Sequence, residues 1–414
     1  MHGIPRRAII PVFLLLIVCG IVVWMRPSLR LPTGSHPEST IPVQPAALTS
    51  ALSDPARRRQ KTTHASEVPA AHTDPAEEAR QAQCAKERRR QWLAYRDQLA
   101  MEEDSPDKAI THAFVTQLLS FVSPDPDPRA VAQEFRMARE RWPQNLELAW
   151  FSMQYCAEEL GCDWSAEWRH LHGLDPDNAV VWMLAMQSAM QRKDEVGYEQ
   201  ALQRAASTRG YDPRHGVTFV HVRRVLSSDV MPASCQDPGT IAELQKTLGR
   251  PPQPIDWANV HANAMEFALS TPALGALSGC NPDARPLSPS RWRDCQTLLS
   301  RLAQGETLLE QQLAMSLLVR LVGNGPGHAQ LRERYRQLRW LLSVMRRLEL
   351  PGDYPTRMWT DGEVAMLQSL AMAQGLWPPP PRWLPADARS RALIQTGRVL
   401  PEQRSSVPRP SPQA

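Results

Sequence analysis

The stretch Leu174–Ala206, "LDPDNAVVWMLAMQSAMQRKDEVGYEQALQRAA", reads as one complete helical hairpin, and it decides how the rest of the chain is understood. The segment before it, "PQNLELAWFSMQYCAEELG", matches it at a shift of 33 residues, Pro143 and Asn145 falling on Pro176 and Asn178. At that shift Ala149, Trp150, Met153, Cys156 and Ala157 meet Trp182, Met183, Met186, Ala189 and Met190. All are apolar or small, at spacings that build one helical stripe. A matched stripe with matched turn residues indicates an internal repeat, each unit burying its stripe against the next.

These residues resemble the tetratricopeptide repeat family, whose units are helix pairs of about this length. Pro176, Trp182, the Lys193–Asp194 turn, Leu202 and Ala205 fall where that family places its proline, aromatic, inter-helix turn, large apolar and small residues. Tyr198 occupies a position that is usually small, Met186 stands where glycine is common, and the second helix of the preceding unit, "DWSAEWRHLHGL", is short. The resemblance covers Pro124–Pro213. It implies an all-α fold, a helical-hairpin repeat array of the α-solenoid kind, with Trp150, Met153, Trp182, Met183, Met186, Leu202 and Ala205 in the repeat core.

The flanks are helical as well. "TDPAEEARQAQCAKERRRQWLAYRDQL" opens with Asp74 as N-cap and Pro75 at the first helical position. Ser105 and Pro106 repeat that opening, with Ile110, Phe114, Leu118 and Phe121 on one face; Val131, Phe135, Ala138 and Trp142 mark a short helix after "SPDPDP". Beyond Pro213, "TFVHVRRVLSS", "IDWANVHANAMEFAL", "SPSRWRDCQTLLSRLAQG", "ETLLEQQLAMSLLVRLVG", "HAQLRERYRQLRWLLSVMRRLEL" and "TDGEVAMLQSLAMAQGL" read as further helices, with no strand-type alternation. In the fifth, Leu331, Tyr335, Leu338, Leu342, Met345 and Leu348 form the apolar stripe, with the arginines solvated opposite. "LWPPPPRWLP" ends the helical body, with Trp377 and Trp383 packing back onto it.

The N-terminus carries the strongest local signal. Ala8–Met25 is an uncharged run of eighteen residues, roughly 27 Å as a helix, enough to cross a hydrocarbon core. Arg6 and Arg7 before it favour a cytoplasmic start, while Arg26 and Arg30 after it reduce the asymmetry. A cleaved signal peptide is the alternative, but the run is long and ends in Val-Val-Trp-Met with no small-residue cleavage pattern. Lipid attachment at Cys19 is a second alternative; Val18 stands where a small residue is expected. The expected organisation is therefore a cytoplasmic tip (1–7), a signal anchor (8–25), a disordered Pro/Ser/Thr-rich linker (26–73), TPR-like repeats (74–213), a C-terminal helical region (214–385) and a mostly disordered tail (386–414). The linker is too poor in large apolar residues to offset its ordering entropy.

A net charge of +4 is too mild to argue for nucleic acid. Forty-two arginines against five lysines suggest a GC-rich bacterial coding bias. Outside the anchor are six cysteines, Cys84, Cys156, Cys162, Cys235, Cys280 and Cys295. An even number beyond a membrane anchor suits an oxidising compartment such as the periplasm. Proximity favours Cys156–Cys162 and Cys280–Cys295, leaving Cys84 with Cys235; buried free thiols acting as small hydrophobes are the alternative.

Chemistry is harder to find. His170 and His172 in "RHLHG" are two apart, on different sides of a helix, where a metal pair wants three or four. Cys156 and Cys162 do not form a zinc knuckle, "GNGPGH" (Gly323–His328) connects helices, and Glu77–Glu78 and Glu158–Glu159 read as solvated. No nucleophile elbow, phosphate loop or dinucleotide fingerprint is present. "KERRRQW" and "RERYRQLRW" mix arginine with aromatics, and "RRRQK" (Arg57–Lys61) lies in the linker; such runs are usually exposed faces. The expectation is thus a periplasmic, inner-membrane-tethered scaffold or assembly factor that binds a protein or peptide partner, with no cofactor, metal, nucleic acid or catalysis of its own. The alternative is an enzyme, or enzyme subunit, acting on cell-envelope polymers.

Overall fold

The computed structural model describes residues 75–398, except 124, 158–160, 228–230, 270, 271, 285 and 323–327. The expected anchor Ala8–Met25, the expected linker, the expected cap Asp74 and residues 399–414 lie outside the described residues. No helix among the described residues is long and apolar enough to cross a membrane. In chain order the helices are α1 (Pro75–Ala100), α2 (Pro106–Phe121), α3 (Pro128–Arg141), α4 (Leu146–Gln154), α5 (Trp164–Leu174) and α6 (Ala179–Gln191). Then come α7 (Glu195–Ser207), α8 (Val217–Ser227), α9 (Pro238–Leu248), α10 (Pro254–Leu269) and α11 (Pro289–Leu302). The last are α12 (Leu308–Val322), α13 (Ala329–Val344), α14 (Tyr354–Arg357), α15 (Glu363–Ala373) and α16 (Ala388–Thr396). Among the described residues there is no strand, only an isolated bridge between Asn178 and Gly210. The fold is all-α.

The helices group into two compact units. The first holds the described residues up to Leu277 together with Glu349–Asp361; the second holds Ser278–Leu348 and the described residues from Gly362 onward. The region expected to begin at 214 therefore contributes to both.

In the first unit consecutive helices pack pairwise from α1 to α7, and α8 packs on α10 and on α2. The two matched segments start alike. Asn145 Oδ1 accepts the Leu148 N–H at 2.8 Å, and Asn178 Oδ1 accepts the Val180 N–H at 3.0 Å. Their second helices start alike too, Asp163 accepting from Ala166 at 3.0 Å and Asp194 from Gly197 at 2.8 Å. Each cap satisfies a backbone donor that a helix start leaves open. The turn between α6 and α7 is closed by Lys193 N–H to Met190 O at 3.1 Å and Asp194 N–H to Ala189 O at 2.8 Å, the Schellman pattern. Lys193 takes the left-handed conformation (φ 58°) that this pattern demands and that glycine usually fills.

The stripes are buried. Leu148, Ala149, Trp150, Phe151 and Met153 of α4, Val181, Met183 and Met186 of α6, and Leu202 and Ala205 of α7 are each 3% exposed or less. Trp182 is the correction. Its counterpart at the 33-residue shift is the buried Ala149, so the equivalent position of the preceding unit holds only a methyl group. The ring stays partly exposed, donates Nε1–H to Pro176 O at 3.3 Å and packs edge-on against His172. Between α2, α3 and α4, Phe114, Phe135 and Phe151 form a triangle with centroids 5.1–5.5 Å apart; such pairs contribute about 0.5–1.5 kcal/mol beyond area burial.

Two disulfides lie in this unit, Cys84–Cys235 across 151 residues and Cys156–Cys162 across six. Closing the first loop stabilises by about 5 kcal/mol on the chain-entropy argument, the second by about 2. Cys84–Cys235 holds α1 to the turn Ala233–Cys235, where Arg80 donates to Ser234 O at 3.2 Å and Ser234 donates to Glu87 at 2.7 Å.

In the second unit Cys280–Cys295 joins the end of the 3-10 segment Pro272–Cys280 to α11. Thr307 and Glu310 form a reciprocal capping box at the start of α12, Thr307 N–H and Oγ1–H donating to Glu310 at 3.1 and 2.9 Å. Two expectations are corrected here. Arg336, expected among the solvated arginines, is 9% exposed, pairs with Glu333 at 2.7 Å and donates to Pro380 O at 2.8 Å, so the charge holds the proline-rich turn. Trp340 Nε1–H donates to Leu376 O at 2.7 Å and its ring meets Trp383 edge-on at 5.0 Å. Residues 386–398 are not a disordered tail: α16 is capped by Asp387 on Ser390 N–H, buries Ala392, Leu393 and Ile394, and stops at Gly397 (φ 70°).

Candidate functional site

The first unit contains a cleft of about 120 Å³ between α3 and the end of α4. Its walls are Arg129, Gln133 and Arg136 of α3, facing Ser152, Tyr155 and the Cys156–Cys162 bridge. Positions 129, 133 and 136 share one helix face because four and three residues are about one turn. Opposite them the bridge closes a six-residue loop, which fixes the end of α4 against the cleft. Glu158 and Glu159 of that loop lie outside the described residues.

Among the described residues the charged side chains that line the cleft are the two arginines. Neither the Arg129 nor the Arg136 guanidinium meets a carboxylate among the described residues, whereas Arg139, one turn on, is bound to the buried Glu167 at 2.6 Å. Glu167 also takes the Ser152 hydroxyl at 2.8 Å, so that side chain is held by the framework. Tyr155 is stacked on Phe135 (4.8 Å) and bonded to Gln117; burial pushes its hydroxyl up, so it stays a neutral donor. The arrangement presents two cations, an amide and a phenol to a space the size of one side chain. It can hold a carboxylate, since guanidinium–carboxylate hydrogen bonds are charge-assisted. It is well below the 300–1,000 Å³ of small-molecule sites.

Comparison of the chain with protein-family models, curated proteins and solved structures gives no match.

The histidines expected on separate sides of α5 do separate. His170 is partly buried, and burial followed by the Arg139 charge lowers its proton affinity. His172 instead ends a row of rings, with Trp164 and Trp168 parallel at 6.4 Å and Trp168 and His172 parallel at 5.0 Å. The indole N–H of Trp168 donates to Val181 O at 2.9 Å, which ties this row to α6. In "KERRRQW", Arg88 is buried over the Trp92 ring at 5.4 Å while Arg89 and Arg90 are exposed. Glu77 is no bare carboxylate either: hydrogen bonds from Arg80 and Gln81 hold it below the usual range.

One cluster escaped the sequence reading. Asp107 at the start of α2, Glu147 at the start of α4 and His221 in α8 bring one carboxylate oxygen each and an imidazole nitrogen within 4.8 Å of one another. His221 Nε2 is 3.3 Å from Glu147, and Arg224 donates to Asp107 at 3.0 Å. The residues lie 40 and 74 positions apart, so no local motif could have revealed them.

Proposed function

We propose that this chain is a membrane-tethered, tetratricopeptide-like scaffold acting in the periplasm, and that it docks an acidic segment of a partner protein in the α3–α4 cleft without chemistry of its own. The observation that carries this reading is the pair of guanidiniums, Arg129 and Arg136, lining the cleft beside the disulfide with no carboxylate partner among the described residues. Three disulfides are consistent with an oxidising compartment. The apolar run Ala8–Met25 supports a tether, which raises the effective concentration of the docking face near membrane-bound partners.

The test uses the full chain in detergent micelles and a fluorescent peptide ending in several Asp and Glu residues. Fluorescence anisotropy should report binding that weakens with salt and falls roughly tenfold or more in Arg129→Gln/Arg136→Gln, about the loss of one charge-assisted contact. Equal binding of the same peptide with its carboxylates replaced by amides would overturn the reading. Alkaline phosphatase fused after residue 73 should be active in a bacterial host; an inactive fusion beside an active cytoplasmic reporter would reverse the orientation.

A further inference from the structure

Three helices converge on the cluster of Asp107, Glu147 and His221, and its two walls differ in kind. The imidazole wall is buried and packed against rings. His221 is 4% exposed, lies nearly parallel to the Phe114 ring at 6.3 Å and meets Phe151 edge-on at 6.1 Å. That packing fixes the ring plane and points Nε2 at Glu147, while Nδ1 is buried with no hydrogen-bond partner among the described residues. The carboxylate wall is open: the side chains of Glu147 and Asp107 are 38% and 60% exposed. Arg224, itself 49% exposed, lies on Asp107 from the solvent side.

We propose that Asp107, Glu147 and His221 form a three-ligand site for a divalent transition-metal cation of the zinc type, in which the Arg224 guanidinium stands in for the ion on Asp107 until metal enters. One imidazole and two carboxylates suit zinc, which takes nitrogen and oxygen ligands at about 2.0–2.2 Å and leaves a fourth position to water. Calcium and magnesium, which prefer all-oxygen shells, suit it less. The charges balance: two carboxylates and a neutral imidazole carry −2, which a divalent ion cancels once the guanidinium swings into solvent. The donor atoms must draw together by about an ångström to reach coordination distance, and the exposed carboxylates have the freedom to do so. Two features set the affinity below that of a closed structural site. The positive ends of α2 and α4 face the ion, and among the described residues Nδ1 has no acceptor to raise the basicity of the imidazole.

The experiment is titration of the metal-free full chain, carrying no histidine tag, with Co²⁺ followed by its visible d–d absorption, and then displacement by Zn²⁺. One equivalent should bind, and Asp107→Asn and Glu147→Gln should each weaken it tenfold or more. Arg224→Gln should strengthen binding several-fold, since the competing cation is gone; a purely structural ion-pair cluster would not respond in that direction. His221→Gln is read only if its circular dichroism matches the parent, and the two surface carboxylate variants keep the test independent of it. Absence of stoichiometric binding, or binding unaffected by Asp107→Asn and Glu147→Gln together, would overturn the proposal.

Discussion

Asn145 and Asn178 stand at the same place in successive helix pairs, each accepting a backbone N–H at the start of its helix, but only Asn178 is also tied to the chain beyond its own pair. Its Nδ2 donates to Asp175 at 2.9 Å and to Asp212 O at 2.8 Å, and its Oδ1 also accepts from Asp212 N–H at 3.1 Å. Asn178 is 3% exposed.

The two caps should therefore differ in weight. Asn145→Ala should destabilise by about 1 kcal/mol, an ordinary cap loss. Asn178→Ala should lose about 2–3 kcal/mol, because it also leaves buried polar groups without partners. Urea unfolding followed by helix signal measures both; equal losses would show that the Asp212 connection contributes nothing.

Lys193 holds a left-handed conformation that disfavours any residue with a Cβ. Lys193→Gly should raise stability by about 0.5–1 kcal/mol, the relieved strain exceeding the extra entropy of glycine in the unfolded chain. A fall in thermal midpoint would mean that the lysine side chain contributes more than its backbone costs.

His261 of α10 keeps some surface at the exterior, yet its imidazole is enclosed; burial, and then the Arg88 charge, pushes it down to about 4. The folded state therefore binds fewer protons than the unfolded state between that value and about 6.5, the ordinary histidine value. Stability on this account is fully present above about pH 6.5 and is lost as pH falls toward 4. His261→Gln should flatten that part of the pH–stability curve. An unchanged acid limb would show that the ring takes up its proton freely in the folded protein.

What could be read in advance was what neighbours in sequence decide. The hairpins followed from turn residues and stripes a few positions apart, and Ser105–Pro106 announced α2 through its side chain on Lys108 N–H. Two helices carried the same kind of signal unread: α9 between Asp237–Pro238 and Gly249 (φ 67°), and α16 between Asp387 and Gly397. Other features had no local signature. The start of α8 is capped by Glu266, 47 residues away, whose buried carboxylate accepts the Phe219 N–H at 2.9 Å and is pushed up by that burial. Trp182 followed the helical stripe in spacing but not in volume, since its counterpart in the preceding unit is the methyl side chain of Ala149. Arg129 and Arg136 carry no signature of their own in the sequence, because only the fold brings the disulfide loop opposite them.

Tyr198 of α7 donates its hydroxyl to Ala276 O at 2.9 Å, and the phenol is only 2% exposed. Anyone expressing the repeats by themselves and stopping near residue 213 would remove that acceptor and strip the lid from the last hairpin. A fragment that keeps this contact must run at least to Leu277, well past the point where the repetition in the sequence fades, and the unit it belongs to is complete only with Glu349–Asp361.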